Sequence, residues 1–161
     1  MFLNLRNVTR VLIIAIVAPI LVSVSAEAAD PLAGTWELNL EKSKFNPGPP
    51  PKSKTRVYEV TGQQEKMIAT TIDVTGNQTS QQYSAYRDGK DYPFEGWQIA
   101  DTVSVVPVDM FTFNYTMKKA GVEVVTGTRM VSKDGRVLTF PVKFTNAKGQ
   151  VVDNVEVFDK R

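Results

Sequence analysis

Glycine-bearing turn pairs recur along this chain at intervals that leave room for one strand and its return: Thr61-Gly62, Gly76-Asn77, Asp88-Gly89, Ala120-Gly121, Asp134-Gly135 and Lys148-Gly149. Successive turns lie 13 or 14 residues apart, except between Gly89 and Gly121, where Gly96 and the segment from Pro107 to Asp109 divide the longer interval. Tight hairpins need positive φ at a central position, which glycine adopts without steric cost. A chain punctuated this regularly is expected to run as an antiparallel meander.

Between the turns the sequence alternates with period two, most cleanly in Phe111-Thr-Phe-Asn-Tyr-Thr-Met117. Such alternation gives a strand one apolar and one polar face. The same reading applies to Trp36, Leu38 and Leu40, to Ile68, Thr70, Ile72 and Val74, to Leu138, Phe140, Val142 and Phe144, and to Val155 and Val157. After residue 30 no stretch repeats apolar residues at helical spacing for three turns, so almost no helix is expected. That excludes dinucleotide-binding, P-loop and four-helix architectures. A flat sheet of eight to ten strands would leave two exposed edges, and closure removes them. The expected fold is all-β, an antiparallel up-and-down barrel of about eight to ten strands; a two-sheet sandwich would need longer crossing connections.

The first 26 residues do not belong to that pattern. Arg6 and Arg10 precede an uncharged, strongly apolar run from Val11 to Ala26 that closes on Ser23, Ser25 and Ala26. This is the arrangement of a cleavable export signal, and the run is shorter than the roughly 20 residues of a spanning helix. Residues 1–26 are therefore expected to be removed, with 27–161 as a single barrel domain in the periplasm or secreted. The absence of cysteine excludes a lipid anchor and disulfides, and the absence of histidine and cysteine together excludes the usual nucleophile systems and zinc sites. Beyond residue 26 there are 17 basic and 17 acidic residues, so a general attraction to nucleic acid has no basis.

Phe111, Phe113, Tyr115 and Met117, with Leu138, Phe140 and Phe144, are the candidate interior wall and ligand-contacting residues. Trp36 is expected to plug or floor the barrel, its one N–H needing a partner. Arg129 has two candidate roles: pairing with a ligand carboxylate, or stacking on Trp36 to close the barrel. Which one applies depends on its strand, since odd positions inward place Val125, Arg129 and Val131 inside, and even positions Val122, Val124 and Met130. The segment from Lys42 to Lys54 contains Pro47, Pro49, Pro50 and Pro51 and breaks the rhythm as an extended loop. Lys42, Lys44, Lys52, Lys54 and Arg56 give it five positive charges with no acid between residues 42 and 56. Placed at an open end, that loop would bias entry toward anionic amphiphiles or toward an anionic envelope surface. For catalysis, Asp88 and Asp91 fall in a turn, and Asp153 and Glu156 sit at odd spacing on one strand, facing opposite ways. With no calcium loop, phosphate loop or dinucleotide turn either, no catalytic residue, metal or cofactor is expected.

Gly34-Thr35-Trp36 opening the first strand, a long first loop and a meander resemble the lipocalin and fatty-acid-binding-protein superfamily. Thr126-Gly-Thr-Arg129 on a late strand fits that resemblance, which implies an arginine stacked on the motif tryptophan at the closed end. Gly34-Thr-Trp-Glu-Leu-Asn39, Lys42-Ser-Lys-Phe45, Pro47-Gly-Pro-Pro-Pro-Lys-Ser53, Asp88-Gly-Lys-Asp-Tyr-Pro93 and Val157-Phe-Asp-Lys160 are together similar to small exported bacterial lipocalin-like proteins. The chain departs from lipocalins in ending on strand-like Val155-Glu-Val-Phe158, and from fatty-acid-binding proteins in having a Pro-rich loop where they carry a helix pair. Two functions are compatible with such a barrel. One is an exported, non-enzymatic binding protein holding a small apolar or amphiphilic molecule; the other is a solid barrel that contacts another envelope component. The oligomeric state has no signature in the sequence.

Overall fold

Ten strands follow one another in a computed structural model that describes residues 29–161; the expected export signal, residues 1–26, lies outside the described residues. They are β1 Gly34–Leu38, β2 Ser53–Thr61, β3 Gln64–Ile72, β4 Gln78–Tyr86, β5 Tyr92–Glu95, β6 Thr102–Pro107, β7 Thr112–Lys119, β8 Val122–Val131, β9 Val137–Thr145 and β10 Val151–Lys160. Each pairs antiparallel with its neighbour in sequence, and β1 pairs with β10, which closes an up-and-down barrel. Among the described residues there is no helix. All the glycine turns read from the sequence fall between strands, and Gly96 and the segment after Pro107 supply the two further reversals. At the β3–β4 turn the Asp73 carboxylate accepts from the Thr75 hydroxyl and from the Thr75 and Asn77 amides, which holds its pKa down to about 2.

Chain direction gives the barrel two unlike ends. The turns after β2, β4, β6 and β8 gather at one end with residues 30–33, and this end is closed. Leu32 and Trp36 are fully buried there, and the Trp36 indole N–H donates to the Leu32 carbonyl at 2.8 Å. The other end carries the long β1–β2 connection and the turns after β3, β5, β7 and β9.

Inward faces follow the alternation on β7 and β9: Phe113, Tyr115 and Met117, and Leu138 and Phe140, are buried, with Phe144 packed against them. Odd positions face inward on β8, placing Val125, Arg129 and Val131 inside and leaving Val122 and Met130 exposed. On β3 and β10 the inward face is the opposite of the one the apolar alternation suggests. Glu65, Met67 and Ala69 are buried while Ile68 and Ile72 are only half-buried; Glu156 and Phe158 are buried between half-buried Val155 and Val157. Polar residues lie inside because each finds a charged partner across the interior, and burial of a paired charge is tolerated where that of a lone one is not.

The β7–β8–β9 wall depends on a missing side chain. β8 and β9 share register pairs only at Met130–Thr139 and Val131–Leu138. Farther along, Tyr115 passes over Gly127, and its hydroxyl donates to the Pro141 carbonyl on β9. A Cβ on Gly127 would sit 2.5 Å from that hydroxyl oxygen, so the crossing requires glycine.

Candidate functional site

The interior divides into a filled half and a hollow half. At the closed end, Glu65 of β3 accepts from Arg129 Nη2 at 2.6 Å on both oxygens, from the Tyr83 hydroxyl at 2.6 Å and from Arg87 Nε at 2.7 Å. Arg129 Nη1 donates to the Tyr83 hydroxyl at 2.8 Å, and Arg87 extends the cluster to Asp30. Burial by itself would raise the Glu65 pKa, but the charge and hydrogen bonds of Arg129, aided by Tyr83 and Arg87, hold it below the usual carboxylate range. Burial pushes the Tyr83 hydroxyl well above its ordinary value, so it stays a neutral donor. Phe113 packs against the cluster, with the guanidinium of Arg87 4.4 Å and that of Arg129 5.0 Å from its ring centre. The charged groups of this half are paired with one another, which makes it a structural plug, although Arg129 Nε and the Tyr58 hydroxyl are buried there without a hydrogen-bond partner.

Toward the loop end the barrel opens into a cavity of about 510 Å³. Its apolar wall comes from Met117, Phe140, Val142 and Phe144, with Phe94 of β5 and Trp97 and Ile99 of the β5–β6 connection. Trp97 stands edge-on to Phe144, with ring centres 5.0 Å apart, and against Phe94 at 6.2 Å. Gly96 brings this connection against β4. Its φ of +82° suits glycine, and a Cβ there would lie 1.9 Å from the Ser80 carbonyl oxygen. Trp97 thus reaches the mouth because the residue before it has no side chain.

Three charged residues share the cavity with these apolar groups. Lys54 and Arg56, two apart on β2, point to the same side, and Glu156 of β10 faces them. Lys54 Nζ donates to the two Glu156 oxygens at 2.8 and 2.9 Å, and Arg56 Nη2 reaches one of them at 3.4 Å. The Arg56 guanidinium lies 4.1 Å from the Phe140 ring centre, and its Nε has no hydrogen-bond partner. Burial lowers the Lys54 pKa despite the attraction of Glu156, and the charge of Arg56 adds to the lowering. Burial would raise Glu156, but Lys54 and Arg56 overcome it and keep the carboxylate ionised.

Of the candidate wall, Met117, Phe140 and Phe144 line the cavity. Phe113 and Leu138 are buried in the filled half, Tyr115 stacks on Phe140 with ring centres 4.7 Å apart, and Phe111 packs against the core at the closed end. Trp36 closes the barrel, but the cation over it is Lys160, with Nζ 5.0 Å from the ring, rather than Arg129. The expected Arg129–Trp36 stack is therefore corrected: Glu65 pulls the guanidinium across the barrel, where it lies near Tyr58 and Phe113. The five-charge loop also separates. Lys54 and Arg56 enter the cavity, whereas Lys42, Lys44 and Lys52 are exposed, Lys42 paired with Asp159 and Lys44 held alongside β10 by backbone hydrogen bonds to Val155. From sequence Glu156 is weighed only as a catalytic partner of Asp153 and set aside, and Trp97 is not a candidate at all. An acid within an otherwise apolar run, and an aromatic directly after a turn glycine, are the signals that mark them.

No protein-family model matches the chain, and no curated protein matches it. Among solved structures, that of EF1p2_mFAP2b bound to DFHBI is similar, with a TM-score of 0.46 and 9% identity over 83% of this chain and 97% of that one.

Proposed function

We propose that the protein is an exported binding protein whose barrel holds one small apolar or amphiphilic molecule in the loop-end cavity. The observation that supports this reading is the division of the interior: side chains fill the closed half, while about 510 Å³ is left open beside Trp97, Phe140 and Phe144. That volume lies within the roughly 300–1,000 Å³ of small-molecule sites, which are likewise mostly apolar with a few placed polar groups. Binding without turnover is the natural reading, because Glu156, ionised between two cations, is a poor proton acceptor. Export rests on the pattern of Arg6, Arg10 and the apolar run to Ala26.

Native mass spectrometry of the protein from its own compartment, followed by denaturing extraction, tests the reading. A reproducible bound mass of a few hundred daltons is expected, and a clean apo mass that persists after incubation with amphiphiles refutes it. Lys44 and Lys52, exposed beside the mouth, favour a second reading in which this face meets an anionic envelope surface. Co-sedimentation with anionic vesicles that is abolished by salt would select that reading.

A further inference from the structure

Nine large hydrophobic residues are exposed among the described residues, and five of them, Tyr86, Val106, Val108, Met110 and Met130, lie at the closed end. The other four sit on separate connections at the loop end, whereas these five are neighbours. Val106 packs beside the β4–β5 turn, where a Cβ on Gly89 would lie 3.1 Å from its Cγ2, and Tyr86 stands three residues before that glycine. Val108 donates its amide to the Thr112 carbonyl at 2.8 Å, and Thr112 is in register with Met130, so both apolar residues flank it on the outer wall. Met110 completes the cluster, lining a groove with Ala29, Pro31 and Val60. Val108 and Met110 are each 59% exposed, so the tip of the β6–β7 turn presents apolar surface to water. Between Asp101 and Lys118 the only charge is Asp109, whose carboxylate accepts from the Phe111 amide at 2.7 Å.

We infer that the β6–β7 turn, flanked by Tyr86 and Met130, is a lipid-contacting finger by which the closed end rests on a bilayer surface, with Val108 and Met110 entering to headgroup depth. Two observations select lipid as the occupant. The uncharged apolar run of the sequence ends at Ala26, and the three residues from there to Ala29 span at most about 10 Å. A membrane that takes up that run during export is therefore within reach of the groove shared by Ala29 and Met110. The acid within the patch is the second. Two copies meeting across a two-fold axis through this patch would bring their Asp109 carboxylates together, whereas at headgroup depth the carboxylate stays hydrated. A few apolar side chains give weak and reversible attachment, which suits a surface contact rather than an anchor. The finger lies at the end opposite the cavity mouth, so the inference shares the export reading but not the ligand reading.

Co-sedimentation of the processed protein, residues 27–161, with phosphatidylcholine vesicles tests the assignment; its described part already closes the whole barrel. Binding is expected to persist at about 1 M salt, where charge attraction is screened within about 3 Å. Val108→Asp and Met110→Asp should each weaken the partitioning about tenfold or more, the factor for withdrawing one apolar side chain from lipid, with the urea midpoint unchanged because both residues are exposed. Asp109→Asn keeps an acceptor for the Phe111 amide and should strengthen binding, an effect that a merely structural role would not produce. Failure of the wild-type protein to sediment with these vesicles, or full binding by Val108→Asp, overturns the assignment. If the wild-type protein is instead a dimer in sedimentation equilibrium, and Val108→Asp is a monomer, the occupant is a second copy and the lipid assignment falls. Binding confined to anionic vesicles and lost at high salt also overturns it and assigns the contact to the loop-end cations. The mass bound in native spectra should be the same for Val108→Asp as for the wild type, so the cavity reading stands or falls separately.

Discussion

Glu65→Gln should cost this barrel a large part of its stability although the replacement has nearly the same shape. Glu65 is fully buried and accepts four hydrogen bonds, two from Arg129 and one each from Arg87 and Tyr83. Glutamine retains one acceptor oxygen and turns an NH₂ group toward donors. Arg87 keeps Asp30, but Arg129, 1% exposed, loses its counter-charge and keeps only the neutral amide oxygen and the Tyr83 hydroxyl. Leaving one member of a buried ion pair uncompensated typically costs about 3–5 kcal/mol, against a total stability of about 5–15 kcal/mol. Removing both charges in Glu65→Met/Arg129→Met should be milder, at about 1–3 kcal/mol, since Arg87 stays paired with Asp30 and what then remains unsatisfied is the neutral Tyr83 hydroxyl and the Arg87 Nε. Equilibrium urea unfolding followed by the emission of buried Trp36 measures both. A single-variant cost below about 1 kcal/mol, or a double variant no more stable than the single, would refute the view that charge pairing holds the closed end.

Acid should destabilise the protein in a defined direction. Glu65 and Glu156 are held below the ordinary glutamate pKa of about 4.3, so the unfolded chain takes up protons first. The stability they contribute is complete above that range and is lost as pH falls through their depressed folded values; a melting temperature unchanged between pH 7 and pH 3 would contradict this. Gly96→Ala should lower the urea midpoint well beyond Gly62→Ala, because both adopt positive φ but only Gly96 lies against backbone, whereas at Gly62 a Cβ meets nothing within 4 Å. The Gly62 change should cost about 1–2 kcal/mol, and equal costs for the two would remove close packing as the reason for Gly96. Acrylamide should quench wild-type emission but barely that of Trp97→Phe, since the remaining Trp36 is fully buried. Strong quenching of that variant would mean the closed end admits solvent.

The barrel was legible because it rests on local rules. A glycine at each reversal and two clean alternating stripes are short-range properties, and closure follows from the need to satisfy strand edges. Met117, Phe140 and Phe144 reached the cavity for the same reason, since a long apolar side chain on an alternating strand has one place to go. The same logic failed on β3 and β10. There the apolar set Ile68 and Ile72, and Val155 and Val157, faces outward, and acids face inward, because an alternation rule assumes that the interior holds only apolar groups.

Lys54 and Arg56 could be placed near the mouth from sequence, since a spacing of two on a strand puts them on one face. Their partner could not be found that way, because Glu156 is about one hundred residues away, and Arg129 and Glu65 are separated by 64. Sequence alone determined strands, turns, closure and the composition of two walls. Tertiary structure decided which charges turn inward and where the interior is left hollow, because a charge is buried only where closure brings a counter-charge within hydrogen-bond reach, and that distance is a property of the assembled barrel rather than of any one strand.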